Sequence, residues 1–508
     1  MKRFYEMLSG TAGRCLLAVV IAIFTAVLAV WWGGVNQDEG WYLYAARLVG
    51  EGKLPYRDFF FTQGPVLPFI YSVMPIHGLL SGRLVTLGFS ILATLTAMAF
   101  ARRLVAPDRR GAVSLTVFVL LACNLYHVYF TTIPKTYAIG SLFVMAGFLL
   151  LSRGWNFLSA LSFAFASGTR ISLVLILGVV GVGLLITRFR KLHWLWFGMG
   201  GSLGLFLVYG IFALDPPSLK GLLAAQAYHA GRGGFDLFFA IGAVSRLARG
   251  YLALGAVMFA AAMLKGGSLG EIALPSTNSQ LKWMVGLSFA AVFLLQMSAP
   301  FPYDDYEVPI MPLLTVLIAV AFVNRAAEYP GARLYRWFPV LVAGMCAFAS
   351  PLVQDWMTNG QDRFWSLKKE KSELAQMREV ARKLETLDPG GKMLLTQDLY
   401  LAVEMERKVP EGLEMGPFSY FPAMSTAEAE ALHVMNGERL ERLIDSAPCA
   451  LAAFSGYGFA IEVPKGAQTP IETRRKYEHL LRRKYRYEGK VEKFGQNHTM
   501  LQYLTRKE

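Results

Sequence analysis

Apolar runs broken by short polar or basic segments make up most of the chain before residue 354. Because a helix needs about 20 apolar residues to cross roughly 30 Å of hydrocarbon, these runs predict a polytopic α-helical membrane domain over 1–353. The run 155–187 is too long for one crossing, and its single charge, Arg170, divides it in two. About eleven transmembrane helices result: 16–33, 82–101, 112–130, 136–151, the two parts of 155–187, 193–212, 250–264, 283–298, 309–324 and 338–353.

Lys and Arg side chains cluster at the ends of alternate runs, at 2–14, 102–110 and 188–191. Since basic residues are enriched on the cytoplasmic side of membranes, the N-terminus is expected in the cytoplasm and the C-terminus outside. This pattern is typical of a multi-pass protein of the bacterial inner membrane. The periplasmic side then carries the loops 35–81, 213–249 and 299–308 together with the tail 354–508.

The polar tail carries signals for both helices and strands. Apolar residues at helical spacing predict a helix over 367–387, and 392–396 and 449–455 are expected to be strands. Ser425 and Thr469 head patterns that are typical of helix N-termini. The tail is therefore expected to form a soluble extracytoplasmic α/β domain over 354–508.

Composition agrees with a membrane protein and narrows the partners. Only 17% of the residues are charged and 54% are hydrophobic, whereas soluble proteins carry about 25% charge. The net charge of +14 is not concentrated in a basic run with interleaved aromatic residues, so membrane lipids are expected partners and nucleic acid is not. The four cysteines show no metal-binding spacing.

Two adjacent carboxylates, Asp38 and Glu39, directly follow the first predicted span. Apolar side chains recur at helical spacing over 41–48, which predicts an amphipathic helix that lies on the outer membrane face and ends near Gly50. One interpretation is that Asp38 only caps this helix. The other is that the two acids carry out chemistry at the membrane surface.

This segment resembles the type C glycosyltransferases, membrane-embedded enzymes that use sugars linked to polyprenyl phosphate. The resemblance rests on the Asp-Glu pair, Tyr42 four residues after Asp38, an Ala-rich amphipathic helix, the pattern G-x-x-P-Y-x-D over 52–58, Gly64-Pro65, and Arg83 at the head of the next span. The family includes protein O-mannosyltransferases, lipid A aminoarabinose transferases and a bacterial branch similar to dolichyl-phosphate-mannose-protein mannosyltransferases. Family members often have Lys-Pro-Pro where this chain has Gln63-Gly64-Pro65, so a cation for the donor phosphate must come from elsewhere.

The resemblance implies an inverting glycosyltransferase that moves a monosaccharide from a polyprenyl-phosphate carrier to a glycan, lipid or protein acceptor. Such a transfer needs a base for the acceptor hydroxyl and cations for the leaving phosphate. Asp38 matches the family's general base, with Glu39 as its orienting neighbour and Tyr42 as a substrate-binding residue.

Three cations are candidates for binding the donor phosphate: Arg170, Lys135 and Arg57. A charge between two apolar helices is costly enough to indicate function at Arg170, although snorkelling to lipid headgroups is an alternative. Lys135 begins a span on the same face, and Arg57 lies on a polar loop where a solvated side chain is the alternative.

Two further outer loops carry polar side chains. Asp304, Asp305 and Glu307 lie between prolines, and the first two are predicted substrate-binding residues. Pairing with Arg170, solvation, or binding a divalent cation together with Asp38 and Glu39 are alternatives; no cofactor is expected to be required. His229 and Arg232, also predicted substrate-binding residues, adjoin a Gly-rich segment that is expected to order over the bound donor.

Two other classes of protein remain as alternatives. A lipid-linked sugar transporter or flippase would place ionisable residues at mid-membrane in two related halves, whereas the informative charges here cluster at one face and no half-repeat is visible. A scaffold or sensor would use the tail to bind envelope polymers, but the Asp38-Glu39 pair argues against a degenerate enzyme.

Overall fold

The computed structural model describes residues 11–188, 192–230, 234–264, 276–300, 302–328, 338, 341–346, 371–456, 469–496 and 498–507. The chain divides into two compact units, each built from separate stretches of sequence. Unit 1 comprises Met1–Val30, Thr86–Val208 and Phe235–Trp365, and unit 2 comprises Trp31–Val85, Tyr209–Gly234 and Ser366–Glu508. The tail belongs to the same unit as the first outer segment. The expected division of the chain at residue 353 stays a prediction.

The first part of the chain is helical. Its described helices are α1 (Thr11–Val27), α2 (Gln37–Gly50), α3 (Val66–Ser72), α4 (Gly78–Arg103), α5 (Arg110–Ala122), α6 (Leu125–Phe130), α7 (Thr136–Ser152), α8 (Asn156–Ser167), α9 (Val174–Arg188), α10 (His193–Ala213), α11 (Pro216–Ala230), α12 (Leu237–Gly250), α13 (Leu252–Met263), α14 (Ser276–Met297) and α15 (Met311–Ala326). A π-helical turn, Leu28–Trp32, extends α1.

Several of these helices are apolar, as expected of a multi-pass membrane protein. Within the described ranges, four stretches are long and apolar enough to cross a membrane: Ala12–Trp32, Gly78–Arg103, His193–Ala213 and Ser279–Met297. A fifth is added if α12 and α13, which meet at a bend of 76°, form one span. Four further apolar helices are shorter: Thr136–Ser152, Asn156–Ser167, Ile171–Thr187 and Met311–Ala326. The count of eleven therefore stays a prediction.

Two predicted spans differ in instructive ways. The interruption expected at Arg170 is present, because α8 ends at Ser167 and a 3₁₀ turn, Ile171–Leu173, precedes α9. The span expected over 112–130 is wrong as a single helix. Asn124 restarts the helix there: its side chain accepts a hydrogen bond from the His127 N–H and donates one to the Gly250 carbonyl. Most of 338–353 lies outside the described residues.

The second outer segment is more regular than predicted. The segment 213–249 was expected to be a polar loop, but it contains α11 and most of α12. The glycines expected to act as a hinge lie largely outside the described residues.

The tail contains five described helices and four strands. The helices are α16 (Glu373–Leu387), α17 (Leu399–Glu404), α18 (Thr426–Ala431), α19 (Gly437–Ser446) and α20 (Ile471–Lys484). The strands β1 (Leu394–Leu395), β2 (Leu451–Phe454), β3 (Tyr485–Phe494) and β4 (Thr499–Arg506) form one sheet in the order β1-β2-β4-β3. Strands β1 and β2 pair in parallel, and the other two pairs are antiparallel.

Local signals in the tail had mixed success. Ser425 caps α18 as predicted, its side chain accepting from the Glu428 N–H. Thr469 does not cap α20, because Pro470 occupies the N-cap position and the threonine lies one residue too early. The hairpin of β3 and β4 was not predicted. Charged residues occupy the exposed positions of β3, so the alternation of apolar and polar residues that indicates a strand is not apparent in its sequence.

Helix α2 is the predicted amphipathic helix of the first outer segment, but protein covers it within unit 2. It begins at Gln37, earlier than the predicted start after Asp38, and ends at Gly50 as expected. Only Asp38, Arg47, Val49 and Gly50 are exposed or half-buried. Its apolar face therefore meets protein, and the expectation that it lies on the membrane surface is wrong for that face.

Candidate functional site

The start of α2 is fixed by a reciprocal pair of hydrogen bonds. Asn36 is the N-cap residue, and its side chain accepts from the Asp38 N–H at 3.0 Å. Glu39 completes the capping box by accepting from the Asn36 N–H at 2.8 Å. Because Asn36 is the N-cap residue, the interpretation that Asp38 only caps the helix is wrong.

Glu39 is also held by a buried arginine at the head of α4. Arg83 Nε and Nη2 donate to the two carboxylate oxygens, each at 2.7 Å, and both side chains are fully buried. The same guanidinium donates to the carbonyls of Gly33 and Gly34 at 3.0 Å. Arg83 therefore joins Glu39, at the start of α2, to the backbone of residues 33 and 34.

Asp38 lies half-buried on the first turn of α2. Trp41 Nε1 donates to its Oδ1 at 3.1 Å, which restricts the side chain. The Trp41 ring stacks on Tyr42 with centroids 4.0 Å apart, and Phe61 meets both rings edge-on. A carboxylate beside a surface of aromatic rings is suited to binding a sugar or an acceptor hydroxyl.

Side chains of the tail accept hydrogen bonds from the backbone on both sides of Asn36. The Val35 N–H donates to Glu373 Oε2 at 2.6 Å, and His498 contacts the other oxygen of that carboxylate. The Gln37 N–H donates to the side chain of Gln496 at 2.7 Å. Residues far apart in sequence thus fix the amides on both sides of the N-cap.

Gly40 allows the closest approach between α2 and the tail. A Cβ at this position would lie 2.2 Å from the Tyr400 nitrogen, a distance that real Cβ atoms do not adopt. One turn later the Tyr44 hydroxyl accepts from the Val409 N–H at 2.9 Å. Only glycine permits this backbone contact.

A second polar cluster lies in unit 1, where Lys135 meets Asp305. Lys135 Nζ donates to Asp305 Oδ2 at 2.9 Å, and the Tyr137 hydroxyl donates to the same oxygen at 2.8 Å. Burial alone would raise the pKa of Asp305, but the Lys135 ammonium and the two hydrogen bonds outweigh it and lower that pKa below its ordinary value. Asp305 is therefore ionised at neutral pH.

Arg170 lies beside this pair on two aromatic rings. Its guanidinium carbon is 5.3 Å from the Tyr137 centroid and 4.6 Å from that of Tyr306. Contact with ring faces favours a cation while leaving guanidinium edges to donate hydrogen bonds.

Glu307 is fully buried near Arg170 and differs from Asp305 in its charge. Burial raises the pKa of its carboxyl to about 9, although Arg170 opposes the rise. The Gln296 side-chain amide lies between this carboxyl, at 3.1–3.2 Å, and the Ser172 hydroxyl, at 2.8 Å. Glu307 is therefore protonated at neutral pH.

Asp304 completes the cluster with partners of its own. Arg246 Nε on α12 donates to its Oδ1 at 2.8 Å, and the Tyr126 hydroxyl donates to Oδ2. Neither residue was predicted, because no local pattern distinguishes them from other basic and aromatic residues. The cluster thus brings three basic side chains, Lys135, Arg170 and Arg246, together with the carboxyl groups of Asp304 and Asp305, and this excess of basic groups is suited to an anion.

The remaining predicted residues are Arg57, His229 and Arg232, of which the structure describes the side chain of Arg57. Arg57 is exposed and pairs with the adjacent Asp58 at 2.9 Å, which agrees with the alternative of a solvated loop residue. His229 lies on α11, but its side chain is outside the described part of the structure, as is Arg232. Among the described residues, no group of three or more His, Cys, Asp or Glu side chains is placed to hold a metal ion.

Two crystal structures of ArnT from Cupriavidus metallidurans, a lipid A aminoarabinose transferase, are similar to this chain over nearly its whole length. The apo structure has a TM-score of 0.58 at 14% identity, and covers 97% of this chain and 98% of ArnT. The structure bound to undecaprenyl phosphate has a TM-score of 0.57 at 13% identity with the same coverage. The chain has the ArnT fold.

The expected type C glycosyltransferase fold is thereby confirmed. The archaeal oligosaccharyltransferase AglB from Archaeoglobus fulgidus, solved with an inhibitory peptide and a dolichol-phosphate, is more distant, with a TM-score of 0.42, 11% identity and coverage of 87% of this chain and 69% of AglB. No protein-family model and no curated protein sequence matches the chain.

Proposed function

We propose that this protein is an inverting glycosyltransferase that uses a monosaccharide linked to a polyprenyl phosphate. The ArnT fold supports the proposal, since ArnT has been crystallised with undecaprenyl phosphate. The observation that carries it is the difference between the two adjacent acids: Glu39 is buried against Arg83, whereas Asp38 remains half-exposed on the same helical turn. One carboxylate is thus presented to a substrate by its neighbour.

In this proposal Asp38 is the general base of a single displacement. The acceptor hydroxyl attacks the anomeric carbon of the donor sugar as its proton passes to Asp38. The bond from that carbon to the phosphate oxygen breaks, and its electron pair leaves with the polyprenyl phosphate. Tyr42 and Trp41 provide the aromatic surface for the substrate.

The leaving phosphate is assigned to the cluster of unit 1. Arg170 and Lys135 contribute the donors, and the phosphate competes with Asp305 for Lys135. Arg246 and Asp304 pair with each other beside the same loop, and Arg170 lies over the rings of Tyr137 and Tyr306. Such fixed positive groups stabilise the charge that develops on the phosphate in the transition state.

The acceptor and the cellular side remain part of the proposal. We place the reaction on the periplasmic side of the inner membrane, with about eleven spans, the C-terminal α/β region outside, and an envelope glycan, lipid or protein as acceptor. A reporter that is active only outside the cytoplasm, fused after the tail, should give signal.

Asp38→Asn tests the proposal because it keeps the size of the side chain and removes the base. We expect at least about a hundredfold slower transfer, since general-base assistance contributes 10²–10⁴ in rate, with polyprenyl-phosphate binding unchanged. Glu51→Gln, at the other end of α2 and partly exposed, is the matched control and should remain active. Normal turnover of Asp38→Asn in monodisperse detergent-purified protein would exclude Asp38 as the base.

The same preparation distinguishes the transporter alternative. Mass spectrometry of the lipid products from proteoliposomes reports whether the sugar leaves its carrier. Movement of intact lipid-linked sugar across the bilayer, without cleavage, would identify a flippase instead.

A further inference from the structure

A basic cavity lies in unit 1, apart from the cluster around Lys135. Its volume is about 420 Å³, and its lining includes four arginines and two apolar side chains: Arg102, Arg103, Arg110, Arg153, Leu95 and Met98. Among the residues that the structure describes, no acidic side chain lines it. Cations around a concave surface attract an anion.

The four arginines come from the ends of three helices. Arg102 and Arg103 end α4, Arg110 begins α5, and Arg153 is the C-cap residue of α7. One of them has a structural task, because Arg103 Nη2 donates to the Ser152 carbonyl at 3.1 Å.

The other three arginines face no carboxylate in the described residues. The acidic residue of the connecting turn, Asp108, pairs with Arg109 at 3.8 Å, and Arg109 is outside the cavity lining. The structure therefore leaves the charges of Arg102, Arg110 and Arg153 available to a ligand.

An apolar stripe on α4 leads to the cavity. Ile91, Leu95, Met98 and Arg102 follow at intervals of four, three and four residues, which places them on one face of the helix. Ile91 and Leu95 are each about half exposed, at 51% and 50%, on a helix that is long and apolar enough to cross a membrane. A hydrocarbon chain can lie along this stripe with its charged end at the arginines.

Arg153, which lines the cavity, contacts an aromatic side chain of the kind found at membrane interfaces. Trp155 is 52% exposed, and the Arg153 guanidinium lies 5.7 Å from its ring centroid. Tryptophan is enriched at the level of lipid headgroups. The cavity is thus placed where a headgroup would be.

This cavity is separate from the cluster assigned to the donor phosphate. Lys135 precedes the first residue of α7 and Arg153 follows its last, so 17 helical residues lie between them. At 1.5 Å per residue this is about 25 Å, close to the thickness of the hydrocarbon layer. One lipid phosphate cannot contact both sites.

We propose that the cavity binds the phosphate headgroup of an anionic phospholipid, whose acyl chains lie along the stripe on α4. Basic pockets between membrane helices bind such headgroups. The bound lipid holds the ends of α4, α5 and α7 together. This site is independent of the transfer reaction and does not require the proposed function.

Lipid titration followed by native mass spectrometry tests the proposal on the full chain in detergent. Wild-type protein should retain phosphatidylglycerol in preference to phosphatidylcholine and should unfold at a higher temperature in its presence. The variant Arg102→Gln/Arg110→Gln/Arg153→Gln should bind phosphatidylglycerol roughly a hundredfold more weakly, because each basic residue near an anionic lipid contributes roughly fivefold. Arg103 is kept for its bond to Ser152.

The matched control is Arg475→Gln/Arg482→Gln/Arg483→Gln, which removes the same charge from exposed positions on α20 and should bind as the wild type does. If the triple cavity variant does not fold, Arg110→Gln alone should show the fivefold loss. Equal retention of phosphatidylcholine, unchanged binding by Arg110→Gln, the same stabilisation by inorganic phosphate alone, or displacement of phosphatidylglycerol by stoichiometric polyprenyl phosphate would each overturn the proposal.

Discussion

Glu39 and Asp305 are both buried against a cation, one in each unit, and the two pairs differ in what surrounds them. The guanidinium of Arg83 donates hydrogen bonds from Nε and both terminal nitrogens. Their acceptors are the Glu39 carboxylate and two backbone carbonyls. The ammonium of Lys135 has Asp305 as an ion-pair partner, with Arg170 and two aromatic rings nearby. The first pair is saturated, and the second lies in a cluster with surplus positive charge.

The pair Glu39–Arg83 therefore has a structural role. The pair Lys135–Asp305 has further charged and aromatic groups around it and is the one proposed to bind a ligand. A saturated pair gains nothing from a ligand, because its hydrogen bonds already join the chain to itself. Under the proposed function, a phosphate in the second cluster would bind Lys135 beside Asp305 or in its place. Burial of an ion pair alone therefore does not indicate function, whereas its surroundings do.

The largest effect should come from opening the saturated pair. Arg83→Gln leaves the Glu39 carboxylate buried without its cation, which typically costs about 3–5 kcal/mol. We expect a strongly lowered unfolding temperature and loss of monodispersity in detergent, with activity lost as a consequence. Fluorescence-monitored thermal unfolding measures the change.

Arg57→Gln is the control, because Arg57 pairs with Asp58 in an exposed position where ion pairs contribute about 0–1 kcal/mol. It should unfold as the wild type does. Equal stability of Arg83→Gln and Arg57→Gln would contradict the structural role of Glu39.

At the second pair, Lys135 and Asp305, we expect a smaller effect on polyprenyl-phosphate binding, and its direction should differ between the two variants. Lys135→Gln removes a phosphate donor and should weaken binding of a polyprenyl phosphate about tenfold or more. Asp305→Asn removes the competing carboxylate and should leave binding unchanged or tighter. Isothermal titration with both variants provides the comparison, and equal weakening in the two would show that the pair acts as a structural unit like Glu39 and Arg83.

At pH 7 the smallest effect on phosphate binding is expected at Glu307, whose charge changes only at higher pH. Its pKa in the folded protein is about 9, well above its ordinary value of 4.5, so the folded state holds a proton that the unfolded chain releases. This group therefore lowers stability progressively as pH rises from about 4.5 to 9. Above pH 9 its negative charge also faces Arg170, and phosphate binding should weaken.

Glu307→Gln should flatten both pH profiles and leave binding at pH 7 close to that of the wild type. Glu328→Gln, an exposed carboxylate of the same unit, should leave both profiles unchanged. A wild-type profile that is already flat between pH 7 and 10 would rule out a protonated Glu307.

Predictions from sequence were most accurate where the signal was local. The spacing of apolar residues predicted α2, and the charge of Arg170 predicted the break between α8 and α9. The capping box could also have been predicted, because Asn36 and Glu39 have the required spacing of three. The adjacent Asp38 was considered as the cap instead.

The contacts that complete both clusters could not be predicted. The ion pairs Glu39–Arg83 and Lys135–Asp305 join residues 44 and 170 positions apart, and no periodicity reports such pairings. Arg246 and Tyr126 belong to the cluster because tertiary structure brings them to Asp304. The apolar face of α2 was predicted correctly, but its spacing does not distinguish lipid from protein as the surface that covers it.

The contacts of α2 with the tail set an order of events during biosynthesis. The amide of Gln37 is bound by Gln496, 459 residues later, and Gly40 meets the backbone of Tyr400. At about 5–20 residues per second, a ribosome needs roughly half a minute or more to make the intervening chain. Nascent chains thus carry an incomplete loop around Asp38, and a truncation near the C-terminus should remove a contact at the beginning of the protein.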